Sequence, residues 1–306
     1  MTQDAPAARG GTVFDIGYQR YTGQREGRGR ARRAIYKDGV RTALGLGRGW
    51  RTKVLPWSFI IVLSLIGLIM ALVAGAAERI IGAGSAERLN LPSHSDFYGI
   101  ASIPIFLFAA VVGPALLTRD RRERTIDLYL VRPVTGTDYI AARYGAFFSV
   151  MLVAAWLPQI LLLLGLALGD PRPGAYLRDN WADIPQFLLA GVVMASYVTT
   201  LALFAASFTT RHAYAAVFLA GTFVITMPFT MALATELEGP LAQWLSMFAL
   251  GNIPVHVNDR IFGELSAITS VAPARELPTW ILVGWYFLWT LVPGAILWAR
   301  YRRLTP

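Results

Sequence analysis

Apolar residues run along this chain in six blocks, each bounded by charged or turn-forming positions. The blocks fall at about 54–77, 97–117, 139–168, 184–208, 213–234 and 278–301. A helix needs about 20 apolar residues to cross the hydrocarbon core of a bilayer, so each block predicts a transmembrane helix. The third is the longest and must tilt or bend, and Pro158 offers a place for the bend. Pro104, Pro114, Pro228 and Pro293 interrupt other blocks, which neighbouring helices can tolerate. Before the first block, Tyr36, Val40, Leu44 and Trp50 recur about a turn apart among Lys37, Arg41, Arg48 and Arg51. That pattern predicts an amphipathic helix over 35–53 lying in the membrane interface, weakened by Gly39, Gly45, Gly47 and Gly49. Between the fifth and sixth blocks, Leu241 to Leu250 is apolar but too short to span. It predicts a re-entrant or interfacial helix that Asn252-Ile253-Pro254 ends. The expected fold is all-α and polytopic, with one six-span domain over 54–303. It is preceded by the interface helix and by a basic arm over 1–34.

The segment from Thr118 to Tyr139, between the second and third spans, has the most structured pattern of any connection. It opens on Arg119, Asp120, Arg121, Arg122, Glu123 and Arg124, and then turns apolar at Ile126, Leu128, Tyr129, Leu130 and Val131. Arg132-Pro133 ends any helix there, because the residue before a proline is pushed out of the helical region. Thr135 followed by Asp138 predicts the cap of the next helix. A connection that only crossed the membrane surface would need the charges alone. The apolar middle has to pack on headgroups or on another protein.

Composition narrows the class. The 306 residues are 55% hydrophobic and 15% charged, too apolar for a soluble domain. The chain has no cysteine, which excludes disulfides, thiolate metal sites and cysteine nucleophiles. His94, His212 and His256 lack ligand-spaced partners, so no metal site is expected. The first fifty residues hold no apolar core of the kind a secretory leader has, so none is expected. The net charge of +9 fits membrane orientation better than nucleic acid. Arg9 to Lys53, Arg119 to Arg143 and the Arg300, Arg302, Arg303 tail are basic, and Arg211 lies in the turn from Thr209 to His212. In the other loops arginines are balanced by acids. By the positive-inside rule both termini, the Thr118–Tyr139 loop and the Arg211 turn face the cytoplasm. In the arm, Phe14, Ile16 and Tyr18 alternate ahead of a Gly/Arg-rich run. Headgroup binding and protein binding both remain open for it.

No Lys, Arg, Asp or Glu lies in the middle of any block. Ion-coupled carriers, proton relays and voltage sensors depend on such groups. An intramembrane enzyme needs a base near its nucleophile, and no such constellation can be assembled, so no catalytic residue is assigned. Ser196, Thr199 and Thr200 read as helix–helix hydrogen-bonding groups. Thr222, Thr226 and Thr230 form a row on the fifth span that is either a packing stripe or a polar wall of a substrate path. Gly165–Gly169, Gly191–Ala195 and Ala216–Ala220 mark close helix packing with unnamed partners. Asn252 and His256 read as capping or solvated loop groups. No internal repeat of the inverted-repeat transporter kind is evident.

The stretch GPALLTRDRRERTIDLYLVRPVTGTDYIAARYGA resembles the membrane subunit of an ABC-2 type ABC transporter, and the likeness extends to the whole plan from about Ile35 to Arg303. The resemblance implies a permease without its own ATPase, in the bacterial inner membrane, paired with a second permease chain and two ATPase subunits. ATP and Mg would sit on those partners and no cofactor on this chain. The coupling helix from Glu123 to Val131 would enter the ATPase, Ile126, Tyr129 and Leu130 filling a socket. Arg121, Arg122, Glu123, Arg124 and Asp127 would pair at its rim, and Thr125 and Arg132 would belong to the same ATPase contact. The resemblance favours export, and apolar spans with scattered hydroxyls suit a hydrophobic or amphipathic solute. Against it stand an ion-coupled or passive transporter or channel, and a subunit that transmits force without carrying a solute. No nucleic acid is expected as a partner.

Overall fold

The computed structural model describes residues 27–47, 49–82, 89, 91–126, 134–170, 172–237, 239–266 and 268–303. Most of the basic arm, residues 1–26, lies outside them, as do residues 127–133 of the loop after the second span. The described residues fold into helices and connecting turns, with no strand among them. In order these are α1 (Arg28–Ala43), α2 (Trp50–Ile80), α3 (His94–Val112), α4 (Ala115–Arg122), α5 (Gly136–Gly169) and α6 (Pro173–Asp179). Then come α7 (Asp183–Ala206), α8 (His212–Thr235), α9 (Pro240–Ser246), α10 (Ile253–Phe262), a 3-10 turn (Pro273–Glu276) and α11 (Thr279–Arg302). Six helical segments are long and apolar enough to cross a membrane: α2, α3 with α4, α5, α7, α8 and α11. They match the six apolar blocks to within a few residues at each end.

Local chemistry sets the ends. Thr135 and Asp138 form the predicted capping box of α5, with Asp138 N donating to Thr135 Oγ1 at 3.3 Å and Thr135 N to Asp138 Oδ2 at 3.1 Å. Ser93 and Asp96 cap α3 in the same way. The helix before the first span is displaced from the expected 35–53. It begins at Arg28 and stops at Ala43, because Gly45 and Gly47 adopt φ of 65° and 78° and break the chain before Trp50. Nor is its inner face left to lipid: it packs on α5, where Tyr36 Oη donates to Ser149 Oγ at 2.9 Å.

The two longest helices, α2 and α5, pack on one another more extensively than any other pair among the described residues. Small residues make this possible. Gly67 lies under the Pro158 carbonyl, Gly165 against Ala71, and Gly169 against Gly75. Pro158 is thus accommodated inside α5 at the point where α2 presents no side chain. The aromatic core behind this seam is satisfied through backbone carbonyls: Tyr98 Oη donates to Phe187 O at 2.8 Å and Tyr197 Oη to Leu250 O at 2.9 Å. By contrast α8 and α11 expose long apolar faces, Val217, Phe218, Ile225 and Phe229 on one and Leu291, Val292 and Trp298 on the other.

Between α8 and α11 the sequence expectation needs correcting. Leu241–Leu250 is not one helix ended at Asn252-Ile253-Pro254. Those residues instead start a second helix, α10, with Pro254 in its first turn, where a missing N–H costs nothing. Asn252 and His256 are buried and not solvated. Burial, then the nearby Arg260 charge, pushes the His256 pKa down to about 4, so the ring is neutral at pH 7. Asp259 is raised by burial, against hydrogen bonds from Ser266 and Thr269 that hold it in place.

Candidate functional site

The Thr118–Tyr139 loop is rooted in a buried charge cluster. The capping box starts α5 at Gly136, which puts Arg143 two turns inside the helix. Sequence analysis counted Arg143 with the loop; instead it is a buried side chain, 1% exposed. Arg143 Nη2 donates to Asp120 Oδ2 at 2.6 Å, and Asp120 is itself 8% exposed. Tyr139, one turn before Arg143 on the same face, donates its hydroxyl to the same oxygen at 2.7 Å. Arg143 Nη1 lies 2.8 Å from Asp38 Oδ2 of α1, an ion pair without the alignment of a hydrogen bond. The guanidinium also lies over the Tyr139 ring at 5.6 Å, and that ring stacks on Tyr301 near the end of α11 at 5.8 Å. Four elements distant in sequence, α1, α4, α5 and α11, therefore meet around one carboxylate.

Further contacts extend the cluster. Arg28 Nε donates to Asp138 Oδ2 at 2.6 Å and ties the start of α1 to the start of α5. Arg121 Nη1 donates to the carbonyls of Ser207 and, at 3.3 Å, Thr209, in the turn between α7 and α8. His212 closes the same turn onto α3 through Nε2 and the Val111 carbonyl, 2.7 Å apart. Arg300 of α11 lies 4.8 Å over the Phe208 ring.

The predicted coupling residues are partly in view. Arg121 is spent on its own chain's carbonyls. Glu123 pairs with Arg119 at 3.2 Å and with Arg122 at 3.6 Å. The helix expected from Glu123 does not include its first three residues, which form a turn. Arg124 takes a left-handed φ of 54°, and Thr125 N bonds back to Asp120 O at 3.0 Å. Ile126 is half-buried against the core. Asp127, Tyr129, Leu130 and Arg132 lie outside the described residues. Thr222, Thr226 and Thr230 donate their hydroxyls to the carbonyls of Phe218, Thr222 and Thr226 at 2.7, 2.6 and 2.6 Å. They lie beside an apolar cleft of about 520 Å³ whose α8 wall is Phe223, Val224, Met227, Pro228 and Met231, so the threonines do not line it.

The sequence reading missed Asp38, Asp120 and Arg143. A signal was there for the last. Once Thr135 and Asp138 are read as a cap, Tyr139 and Arg143 fall on one face of a helix that carries no further charge before its end at Gly169, and an arginine so placed needs a buried partner. Nothing in the sequence told Asp120 from the charges around it.

Six helices long and apolar enough to cross a membrane suggest a multi-pass membrane protein, with a buried ionic cluster at one end of them. No protein-family model and no curated protein matches the chain.

Proposed function

We propose that this chain is the permease subunit of an ATP-driven transporter, set in motion by a separate ATPase that grips the loop after the second span. In this reading both termini and the loop face the cytoplasm of a bacterium. Helix α1 lies at the inner interface, α9 and α10 form a re-entrant element, and two permease chains assemble with two ATPase subunits that bind ATP and Mg. The observation that carries the reading is the Asp120–Arg143 cluster. It connects the loop base rigidly to α1, α5 and α11, while Arg121 connects it to the α7–α8 turn. A displacement imposed on the loop would then move several spans together, as a coupling element requires. The apolar cleft beside α8 suits a hydrophobic or amphipathic solute.

The test is reconstitution. Co-expressed with a Walker-type ATPase from the same cell, the chain should co-purify with it, and ATP turnover should need both subunits. The double substitution Ile126→Ala/Tyr129→Ala should lower that turnover about tenfold or more, as loss of buried anchors does at an interface. An intact complex with unchanged turnover would remove the coupling role. Uptake that follows a proton or sodium gradient without ATP would favour an ion-coupled carrier instead.

A further inference from the structure

A second polar site lies at the opposite end of the spans from Arg143. There the end of α2, the start of α3, the end of α5 and the start of α7 enclose, with α6 and the segment after α10, a cavity of about 950 Å³. It is at the upper end of the range for small-molecule sites. Five carboxylates line it, Glu78, Asp96, Asp170, Asp183 and Glu264, and no Lys or Arg does so among the described residues. The nearest cation by sequence, Arg79, is committed to the carbonyls ending α5, with Nη2 2.7 Å from Leu168 O and Nε 3.2 Å from Gly169 O. The negative field is felt by Tyr176 in the wall. Burial first, then Asp183, Asp170 and Glu78, push its hydroxyl pKa up to about 12. A cleft lined by one sign of charge concentrates ions of the other.

His94 says what kind of cation fits. It lines the cavity, is only 5% exposed, and stacks on Phe187 with ring centroids 5.7 Å apart. Gln159 fixes its tautomer. The Gln159 amide nitrogen donates to the His94 carbonyl at 3.1 Å, which turns Gln159 Oε1 toward His94 Nδ1 at 2.6 Å. Nδ1 therefore carries the proton. Among the described residues Nε2 has no hydrogen-bond partner, which leaves it as a lone-pair acceptor. A buried acceptor without a donor is costly unless a ligand supplies one. The acidic groups are spread around the wall: among the described residues no three His, Asp or Glu side chains converge as metal ligands. Dispersed carboxylates with a lone imidazole acceptor suit an extended molecule with several N–H donors better than a bare metal ion.

We propose that this cavity binds an organic amine, a primary or secondary ammonium compound whose N–H groups reach His94 Nε2 and the surrounding carboxylates. The assignment goes beyond the ATP-driven reading and does not rest on it. The test uses the purified protein in neutral detergent, titrated with spermidine by calorimetry, with magnesium chloride as a control for charge alone. Spermidine should bind saturably, and Asp183→Asn/Glu264→Gln should weaken it at least about tenfold, the worth of a lost charge-assisted hydrogen bond. His94→Phe, which keeps the stacked ring and removes the acceptor, should weaken it as well. Binding that is absent, unchanged in these variants, or displaced by magnesium at equal charge overturns the proposal. A second measurement does not depend on those variants folding. The chain has no native cysteine, so Gln186→Cys places a single thiol in the wall. A cationic methanethiosulfonate should label it several-fold faster than an anionic one of similar size, and spermidine should slow that labelling. Equal rates, or no protection, refute the site.

Discussion

Arg143→Met should destabilise the protein by about 3–5 kcal/mol, the range for removing one partner of a buried ion pair. The substitution roughly keeps the volume of the side chain but leaves Asp120, 8% exposed, with the Tyr139 hydroxyl and no counter-charge. Thermal unfolding in detergent, followed through the nine tryptophans, should show a large fall in midpoint. Adding Asp120→Asn to Arg143→Met should restore much of the loss, because the second change removes the stranded charge. Asp38→Asn should behave differently. The Asp38 side chain is 55% exposed, and a pair so open to solvent contributes about 0–1 kcal/mol. If Arg143→Met melted at the wild-type temperature, the cluster could not be the rigid base of the loop, and the coupling role proposed for it would lose its support.

Gly67→Val should be the next most damaging single change. A Cβ at Gly67 would stand 2.5 Å from the Pro158 carbonyl oxygen and 3.1 Å from its carbon. The obstacle is the backbone of α5, which cannot rotate away as a side chain can, so α2 and α5 must separate. Overpacking costs about 1–3 kcal/mol where neighbours can adjust and more where they cannot, and the loss should fall at or above the top of that range. The tight contacts at Gly165–Ala71 and Gly169–Gly75 would be disturbed with it. Gly284→Ala, where nothing lies within 4 Å of the added carbon, should leave the unfolding midpoint unchanged or slightly raised, since alanine favours helix. The yield of monodisperse protein and its thermal midpoint test both. Equal behaviour of the two variants would mean that the α2–α5 seam tolerates a wider spacing than its geometry allows.

The chain by itself determined the number of spans, their approximate limits and several of their ends. Length and hydropathy are local properties, and a helix in lipid must satisfy its own backbone whatever its neighbours do. Capping is local too, which is why Thr135 with Asp138 could be read directly. The pairing of helices was not legible. Gly165 and Gly169 announced close packing, but only the fold placed Ala71 and Gly75 against them. The buried cluster was hidden for the same reason: Asp38, Asp120 and Arg143 come from three helices, and Asp120 looks like any member of a solvated charge run until Arg143 is turned toward it. The His94 acceptor was further from view. Its chemistry depends on Gln159, sixty-five positions away in the chain, and on carboxylates gathered from five separate stretches. Sequence sets what each segment can be in a bilayer. Which charges leave water, and which partners they then require, is decided only when the helices are brought together.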